Sequence, residues 1–336
     1  MKESARILLL QQDLLKWYRK YKRKLPWRET KDPYAIWVSE IMLQQTRVDT
    51  VIDYYHRFLK KFPTIAVLAK SSEQDVLKQW QGLGYYRRAK MIHKAAKDVS
   101  QNYGGKLPAT RDALQKLPGF GPYTSGAVAS IAFDKPVPAV DGNVKRVLSR
   151  VFATHESVDP IALQAAQNDS PSDWTQALME LGALICIPKN PKCLVCPVQK
   201  NCKAYETSSV EKYPLLIKKA KAKEVFAVTW MIQDLSTKKI LIQKRPENGR
   251  WSNMWEFPTD EFDKKPTTVK HGSEKIGSFK HLLTHQTIHI DVVALKIPKN
   301  ESIAKHQQWI ELNELDQFPI SKMQLRAFEI YIKKSS

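Results

Sequence analysis

Four cysteines within seventeen residues constrain this chain more than any other feature of its sequence. They are Cys186, Cys193, Cys196 and Cys202, spaced C-x6-C-x2-C-x5-C, and the rest of the 336 residues contain no cysteine. Disulfides that brace a fold are usually spread along the chain, where they close long loops. A compact set of thiolates instead selects tetrahedral zinc or a [4Fe–4S] cluster. Zinc sites usually have two C-x2-C arms and this segment has one, so the spacing favours iron–sulfur and leaves zinc open.

The loop between the first two cysteines carries Lys189 and Lys192. If metal ligands fix both ends of this loop, the two ammonium groups can face a nucleic-acid phosphate. The alternative is an ordinary solvated loop, and the sequence does not decide between the two.

The charge of the chain favours a polyanionic partner. The formal net charge is +20, of which +15 lies in residues 1–220, and each phosphate neutralised by Lys or Arg releases a condensed counterion. A membrane span is not expected, because the longest uncharged stretch, Leu117–Phe133, contains two Pro and three Gly. The apolar run Ile7–Leu10 is too short for a secretory signal. We therefore expect a cytoplasmic protein, associated with the nucleoid if the source is bacterial.

Hydrophobic periodicity divides the chain into a helical part and a mixed part. The helices predicted before the last cysteine cover residues 5–23, 34–58, 73–79, 86–102 and 110–117, two segments flanking residue 141, and one from Asp173 into the cysteines. Residues 203–222 are rich in Ser and Lys and suit a linker. Strands are then predicted at Phe226–Met231, Lys239–Lys244 and Thr287–Ala294, with a helix at Lys322–Ile332. The fold class is thus an all-α domain followed by an α/β domain.

The segment Leu117–Thr124 predicts a hairpin between two helices. Gly119 and Gly121 permit a close backbone approach, and Pro122 suits the first turn of the next helix. Exposed backbone N–H groups at a helix start form a site for one phosphate. The alternative is a simple connection, since Gly and Pro mark turns of every kind.

Two carboxylates stand in contrasting surroundings. Glu40 is flanked by the apolar residues of Trp37–Leu43, and burial there would raise its pKa and keep it protonated near neutral pH. Asp141 precedes Gly-Asn at a helix start, where it can also be an N-cap. Glycosidic cleavage needs one carboxyl group to protonate the leaving group and another to stabilise an oxocarbenium-like cation. An exposed helical Glu is the alternative for Glu40.

Five segments in this order resemble the adenine DNA glycosylase (MutY) family of the helix-hairpin-helix superfamily. They are SEIMLQQTRVDTVI, WQGLGYYRRAK, LPGFGPYTSGA, VDGNVKRVLSR and MELGALIC…PKCLVCPVQKNC. The resemblance implies a catalytic domain over 1–205 with an iron–sulfur loop at 186–202, a linker over 206–222, and a Nudix-like lesion-recognition domain over 223–336. It also implies a [4Fe–4S] cluster on the four cysteines.

The substrate implied by the resemblance is duplex DNA with adenine mispaired with 8-oxoguanine or guanine, from which a monomeric enzyme flips and removes the adenine. Glu40 would protonate adenine N7, and Asp141 would stabilise the deoxyribosyl cation. Tyr123 and Asn143 match positions that line the same pocket, and Arg28 matches its edge. The residues that match DNA-contacting positions around the lesion are Gln45, Leu83 and Tyr85.

The residue at position 123 predicts the reaction type. In the bifunctional endonuclease III branch this position is a Lys that attacks the sugar, and a tyrosine cannot form a Schiff base. We therefore expect base removal with little strand cleavage. The alternatives are an endonuclease III-like glycosylase-lyase and a non-catalytic DNA-binding iron–sulfur protein.

The C-terminal domain departs from its Nudix relatives in two places. After Phe257-Pro258 the sequence lacks the R-E-x-x-E-E box that holds Mg²⁺, so we expect a domain that recognises the lesion without pyrophosphatase activity. Where many members have Phe-Ser-His, this chain has Leu283-Thr284-His285. We expect Thr284 and His285 to contact the oxidised guanine, with Leu283 as an apolar wedge. His281, His285 and His289 are spaced by four, but in a loop and strand this spacing does not favour zinc.

Overall fold

The computed structural model describes residues 2–215, 222–266, 272–298 and 303–335. By contacts the chain separates into two compact units, Met1–Lys70 with Met91–Ile217 and Ser71–Lys90 with Lys218–Ser336. Residues 71–90 thus group by contacts with the C-terminal part of the chain, although they fall within the predicted catalytic domain over 1–205. Of the predicted linker at 206–222, residues 216–221 lie outside the described residues.

The described part of the chain up to residue 215 is helical. Its helices are α1 Glu3–Tyr21, α2 Pro33–Leu43, α3 Val48–Lys61, α4 Ile65–Lys70, α5 Glu73–Trp80, α6 Arg87–Asn102, α7 Arg111–Gln115, α8 Pro122–Phe133, α9 Gly142–Phe152, α10 Asp159–Ala165, α11 Pro171–Leu184 and α12 Lys203–Glu206. No helix of the described residues is both long enough and apolar enough to span a membrane.

The first unit has a core built by α1, α9 and α11. Leu10 and Leu14 of α1 are fully buried against Val147 and Leu148 of α9 and Leu181 of α11. The apolar positions recur three or four residues apart, which gives each helix one face for the core. This packing fixes the start of α9 next to α11.

One predicted helix is wrong: the segment Tyr34–Phe58 forms two helices instead of one. The chain leaves the helix after Leu43, and Gln45 has a φ of +57° before α3 begins at Val48. A left-handed residue interrupts the helix and redirects the chain. The segment between the helices contains no Gly or Pro, so no residue in it indicates the break.

The C-terminal part of the second unit is a mixed β-sheet with one long helix. The elements are β1 Lys223–Asp234, β2 Ile240–Lys244, β3 Trp255–Glu256, β4 Thr259–Phe262, β5 Ser273–Leu282, β6 Gln286–Ile297, β7 Gln307–Ile310 and α13 Lys322–Ser335. The sheet order is β3-β2-β1-β6-β5, with β4 on β1 and β7 on β2, and β1 and β6 run parallel. Apolar side chains of α13 pack on this sheet.

The predicted fold class is confirmed, because a helical part precedes an α/β part. Two of the predicted strands lie inside β1 and β6, and the third matches β2 except that β2 begins one residue later than expected. Four strands were missed, and of these β3, β4 and β7 are only two to four residues long. Strands this short carry almost no alternation signal.

Candidate active site and metal site

Glu40 lies near the C-terminal end of α2 and is 5% exposed. Helix α2 is buried from Tyr34 to Met42, and the Asp32 side chain caps it by accepting from the Tyr34 N–H at 3.0 Å. The Tyr123 hydroxyl of α8 donates a hydrogen bond to Glu40 Oε2 at 2.6 Å. The burial expected from the sequence is therefore present.

Burial raises the pKa of Glu40 to about 7, and the negative charge of Asp141 acts in the same direction. The hydrogen bond from Tyr123 and the positive charge of Arg28 oppose this rise in pKa. The pKa of Tyr123 is raised by its burial, and also by the charges of Glu40 and Asp141. Near pH 7 a large fraction of Glu40 thus holds a proton, as a general acid requires.

Asp141 is the N-cap of α9. Its Oδ1 accepts from the Val144 N–H at 2.7 Å, and its Oδ2 accepts from Asn143 Nδ2 at 3.1 Å. Asp141 therefore caps the helix. Its charge also raises the pKa of both Glu40 and Tyr123. Burial raises the pKa of Asp141, while the bonds from Val144 and Asn143 favour its charged form.

Asn143 is held where α9 and α11 approach closely. A Cβ at Gly182 would lie 2.6 Å from Asn143 Cβ, so only glycine fits this contact. Arg146 donates through Nη2 to Asn143 Oδ1 and to the Gly182 carbonyl, both at 2.8 Å. Asn143, which donates to Asp141, is thus fixed by the packing of α9 against α11.

Arg28 belongs to a buried ion cluster. Its guanidinium donates twice to Glu180, at 3.0 and 2.9 Å. Arg23 donates to the same carboxylate at 2.9 and 2.6 Å, and the Glu180 side chain is only 1% exposed. Burial alone would raise the pKa of Glu180, but its hydrogen bonds from Arg23 and Arg28 lower it to about 2.

The predicted hairpin joins α7 and α8 and exposes both of its glycines. Gly119 has a φ of +78°, and a Cβ there would lie 2.7 Å from Met91 Cβ. Phe120 is buried and stacks on Trp37 at 5.1 Å. Gly121 caps α8, which begins at Pro122. Buried Phe120 thus anchors the turn, while Gly119 and Gly121 leave its backbone exposed to solvent, as an anion site needs.

The four cysteines line one pocket. Its other walls are mainly apolar, formed by Val147, Val151, Leu181, Ile185, Val198 and Val210. Within the part of the chain that the structure describes, no three His, Cys, Asp or Glu side chains gather tightly enough to hold a single metal ion. Burial raises the pKa of Cys196 to about 12. A neighbouring cation would be needed to ionise such a thiol.

Arg150 anchors the loop that starts at Cys186. This arginine is 3% exposed, and its Nη1 lies 3.5 Å from Cys186 Sγ. It also donates to the carbonyls of Ile187 and Pro188 at 2.8 and 3.0 Å. Lys189 and Lys192 are exposed on this anchored loop.

Two predicted DNA-contacting residues meet within the second unit. The hydroxyls of Tyr85 and Thr284 are 2.9 Å apart, and Tyr85 is 46% exposed with a φ of +48°. Thr284 lies in the turn between β5 and β6, next to the exposed His285.

Three other predicted contacts differ in exposure. Leu83 is buried, at 6%. Leu283, expected to be a wedge, packs against the core of the second unit. Gln45 is exposed at the break between α2 and α3. The three histidines take separate places: His281 stacks edge-on against Trp251, His289 pairs with Glu224, and His285 is exposed.

Sequence reasoning missed Glu180, Arg146 and Gly182. Glu180 stands between Met179 and Leu181 in an apolar helix, which is the same signal that singled out Glu40. Two partners of Arg146, the carbonyls of Gly182 and Cys186, lie 36 and 40 residues away, and no short-range pattern reveals such contacts.

Family models match both parts of the chain. Residues 38–169 match the HhH-GPD superfamily base excision DNA repair protein model. Residues 228–329 match a NUDIX domain. These matches confirm the helix-hairpin-helix and Nudix-like assignments.

Whole proteins and solved structures show the same relationship. An adenine DNA glycosylase of Buchnera aphidicola subsp. Schizaphis graminum is 36% identical, over 97% of this chain and 99% of its own. A thermostable thymine-DNA glycosylase structure is 31% identical with a TM-score of 0.57, over 60% of this chain and 98% of its own. An endonuclease III in a non-covalent complex with DNA shares the fold, with a TM-score of 0.53 and 23% identity over 62% of this chain and 99% of its own. The chain therefore belongs to the adenine DNA glycosylase family and is a DNA glycosylase of base-excision repair.

Proposed function

We propose that this enzyme removes adenine paired with 8-oxoguanine, or with guanine, from duplex DNA by hydrolysing the N-glycosidic bond. The observation that carries the proposal is the buried carboxyl group of Glu40. Its pKa of about 7 lets it hold and release a proton at neutral pH, and the Asp141 carboxyl group lies near enough to act on it.

The chemistry assigned to these residues is an acid-assisted cleavage. Glu40 donates its proton to N7 of a flipped adenine, and the C1′–N9 bond then breaks with its electron pair leaving on the base. The carboxylate of Asp141 stabilises the sugar cation that forms. Water adds to C1′ and releases a proton, which leaves an abasic site.

Tyr123 supports a hydrolase with little lyase activity. Its hydroxyl is bound to Glu40 at 2.6 Å, and burial raises its pKa well above the ordinary value near 10. A neutral phenol in this position holds the acid in place and offers no amine for a Schiff base. Asn143 has the supporting role of orienting Asp141, to which it donates at 3.1 Å.

The same proposal assigns the DNA contacts. The exposed backbone of the hairpin and the lysines of the anchored cysteine loop bind phosphates, and the turn at Thr284 reads the oxidised base together with Tyr85. The residues proposed to contact DNA are Arg28, Gln45, Leu83, Tyr85, Gly119, Gly121, Lys189, Lys192, Thr284 and His285. One chain carries all of these groups, so we propose that a monomer suffices.

The composition of the cysteine pocket is the argument for a [4Fe–4S] cluster. Four thiols around an apolar pocket, with the cationic Arg150 at 3.5 Å from Cys186 Sγ, fit an anionic thiolate-bound cluster better than a single zinc ion. Cys186, Cys193, Cys196 and Cys202 would hold such a cluster. The loop with Lys189 and Lys192 would then be fixed at both ends.

The proposal is tested with duplexes that carry adenine opposite 8-oxoguanine, followed by heating in alkali. Cleavage at the adenine is expected with wild type, and it should be lost with Glu40→Gln while binding to the mismatch persists. Duplexes with thymine opposite guanine and with an oxidised pyrimidine are the controls for other specificities. A dominant covalent adduct after borohydride treatment would favour a glycosylase-lyase, and absence of alkali-dependent cleavage with wild type would favour a non-catalytic DNA-binding protein.

A further inference from the structure

We infer that Glu180 is a positioning residue that holds the Arg28 guanidinium away from Glu40 and neutralises it. This inference rests on the proposed role of Glu40 as the acid. It assigns a function to a buried ion cluster that the chemical steps do not use directly.

The geometry of the cluster carries the inference. Glu180 accepts two hydrogen bonds from Arg28, at 3.0 and 2.9 Å, and its side chain is 1% exposed. The Arg28 side chain is 10% exposed, so water does little to screen its charge. The guanidinium also lies over the Tyr18 ring at 5.4 Å. Arg28 is therefore held by a carboxylate and by an aromatic face, while its charge also acts on a second carboxylate.

The second carboxylate is Glu40. Among the described residues, the charged or titratable groups that act on Glu40 are Tyr123 from α8, Asp141 from the start of α9 and Arg28 from the turn before α2, and Arg28 is the positive one of the three. A guanidinium free to pair with Glu40 would favour the ionised acid, which cannot donate a proton. Glu180 prevents this pairing by offering Arg28 a bidentate partner in fixed geometry.

The test is the pH dependence of single-turnover adenine release by Glu180→Gln. Release by a carboxylic acid falls as pH rises through its pKa, so the loss of Glu180 should move this fall to lower pH by about one unit. At pH 7.5 the rate should then be about eightfold below wild type, as a shift of one unit from a pKa near 7 implies.

Two further variants separate this electrostatic role from a structural one. Arg28→Gln/Glu180→Gln leaves no guanidinium to pair with Glu40, so the fall in rate should return towards its wild-type pH even if the maximal rate is lower. Arg23→Gln/Glu180→Gln keeps Arg28 and should retain the shifted profile. If Glu180→Gln alone does not fold, Arg23→Gln/Glu180→Gln carries the test, because it keeps Arg28 and leaves one unpaired cation fewer.

An unshifted or upward-shifted profile in Glu180→Gln would overturn the inference, as would the same shift in the Arg28→Gln/Glu180→Gln variant. Failure of the proposed function looks different. In that case wild type itself releases no adenine, or Glu40→Gln releases it at the wild-type rate.

Discussion

Replacement of Gly182 by alanine should reduce the rate of adenine release, although Gly182 is not one of the proposed catalytic residues. The new Cβ would lie 2.6 Å from Asn143 Cβ and 3.3 Å from the backbone Cα and carbonyl carbon of Asn143. Ordinary carbon contacts need roughly 3.5–4 Å. Since two of the three clashes are with backbone, α9 and α11 must move apart by about an ångström.

The size of the effect follows from this displacement. Overpacking of this kind costs about 1–3 kcal/mol, which for a domain near 200 residues lowers the melting temperature by roughly 2–4 °C per kcal/mol. Displacing a catalytic group by about an ångström costs on the order of a hundredfold in rate. Asp141 lies two residues from the clash and accepts from Asn143, so we expect adenine release to fall on the order of a hundredfold in a variant that still folds.

The assay is single-turnover base release at a temperature where melting curves show the variant folded. Gly142→Ala is the matched control, because a Cβ at Gly142 meets nothing within 4 Å although the residue lies between Asp141 and Asn143. The control should release adenine at close to the wild-type rate. Wild-type release by Gly182→Ala would refute the argument that the contact between α9 and α11 positions Asp141.

Three other substitutions test separate parts of the site. Tyr123→Phe removes a hydrogen bond that lowers the pKa of Glu40, so the fall in rate with rising pH should move to higher pH, and a shift to lower pH would contradict this. Cys196→Ser should reduce the iron content from about four atoms per chain, and unchanged iron would exclude it as a ligand. Thr284→Val removes the hydroxyl beside Tyr85, so preference for 8-oxoguanine over guanine duplexes, measured as a ratio of Kd values, should fall about fivefold; an equal ratio would remove Thr284 from lesion recognition.

The sequence predicted those parts of the site that depend on local pattern. Apolar neighbours on both sides of Glu40 indicate burial because a helix that is hydrophobic all round is a core helix. The hairpin and the capping position of Asp141 follow from the local backbone preferences of Gly, Pro and the Asp-Gly-Asn segment. The structure has each of these features where it was expected.

The parts that the sequence did not predict depend on contacts between distant residues. Glu180 and Arg28 are 152 residues apart, and the break after α2 uses a left-handed Gln45 that no local residue preference favours. The meeting of Tyr85 with Thr284 joins positions 199 residues apart. Tertiary packing decides such features, so periodicity and motif spacing carry no information about them.

The central claim is that a buried Glu40 delivers the proton, and the pH dependence of single-turnover adenine release tests it most directly. With a pKa of about 7 for Glu40, the rate should be constant below this pH and fall about tenfold per pH unit well above it. Glu40→Gln should lack that fall because its residual rate is far lower and independent of this group. A wild-type rate that stays constant from pH 6 to pH 9, on a protein that remains folded and bound to DNA, would contradict the account.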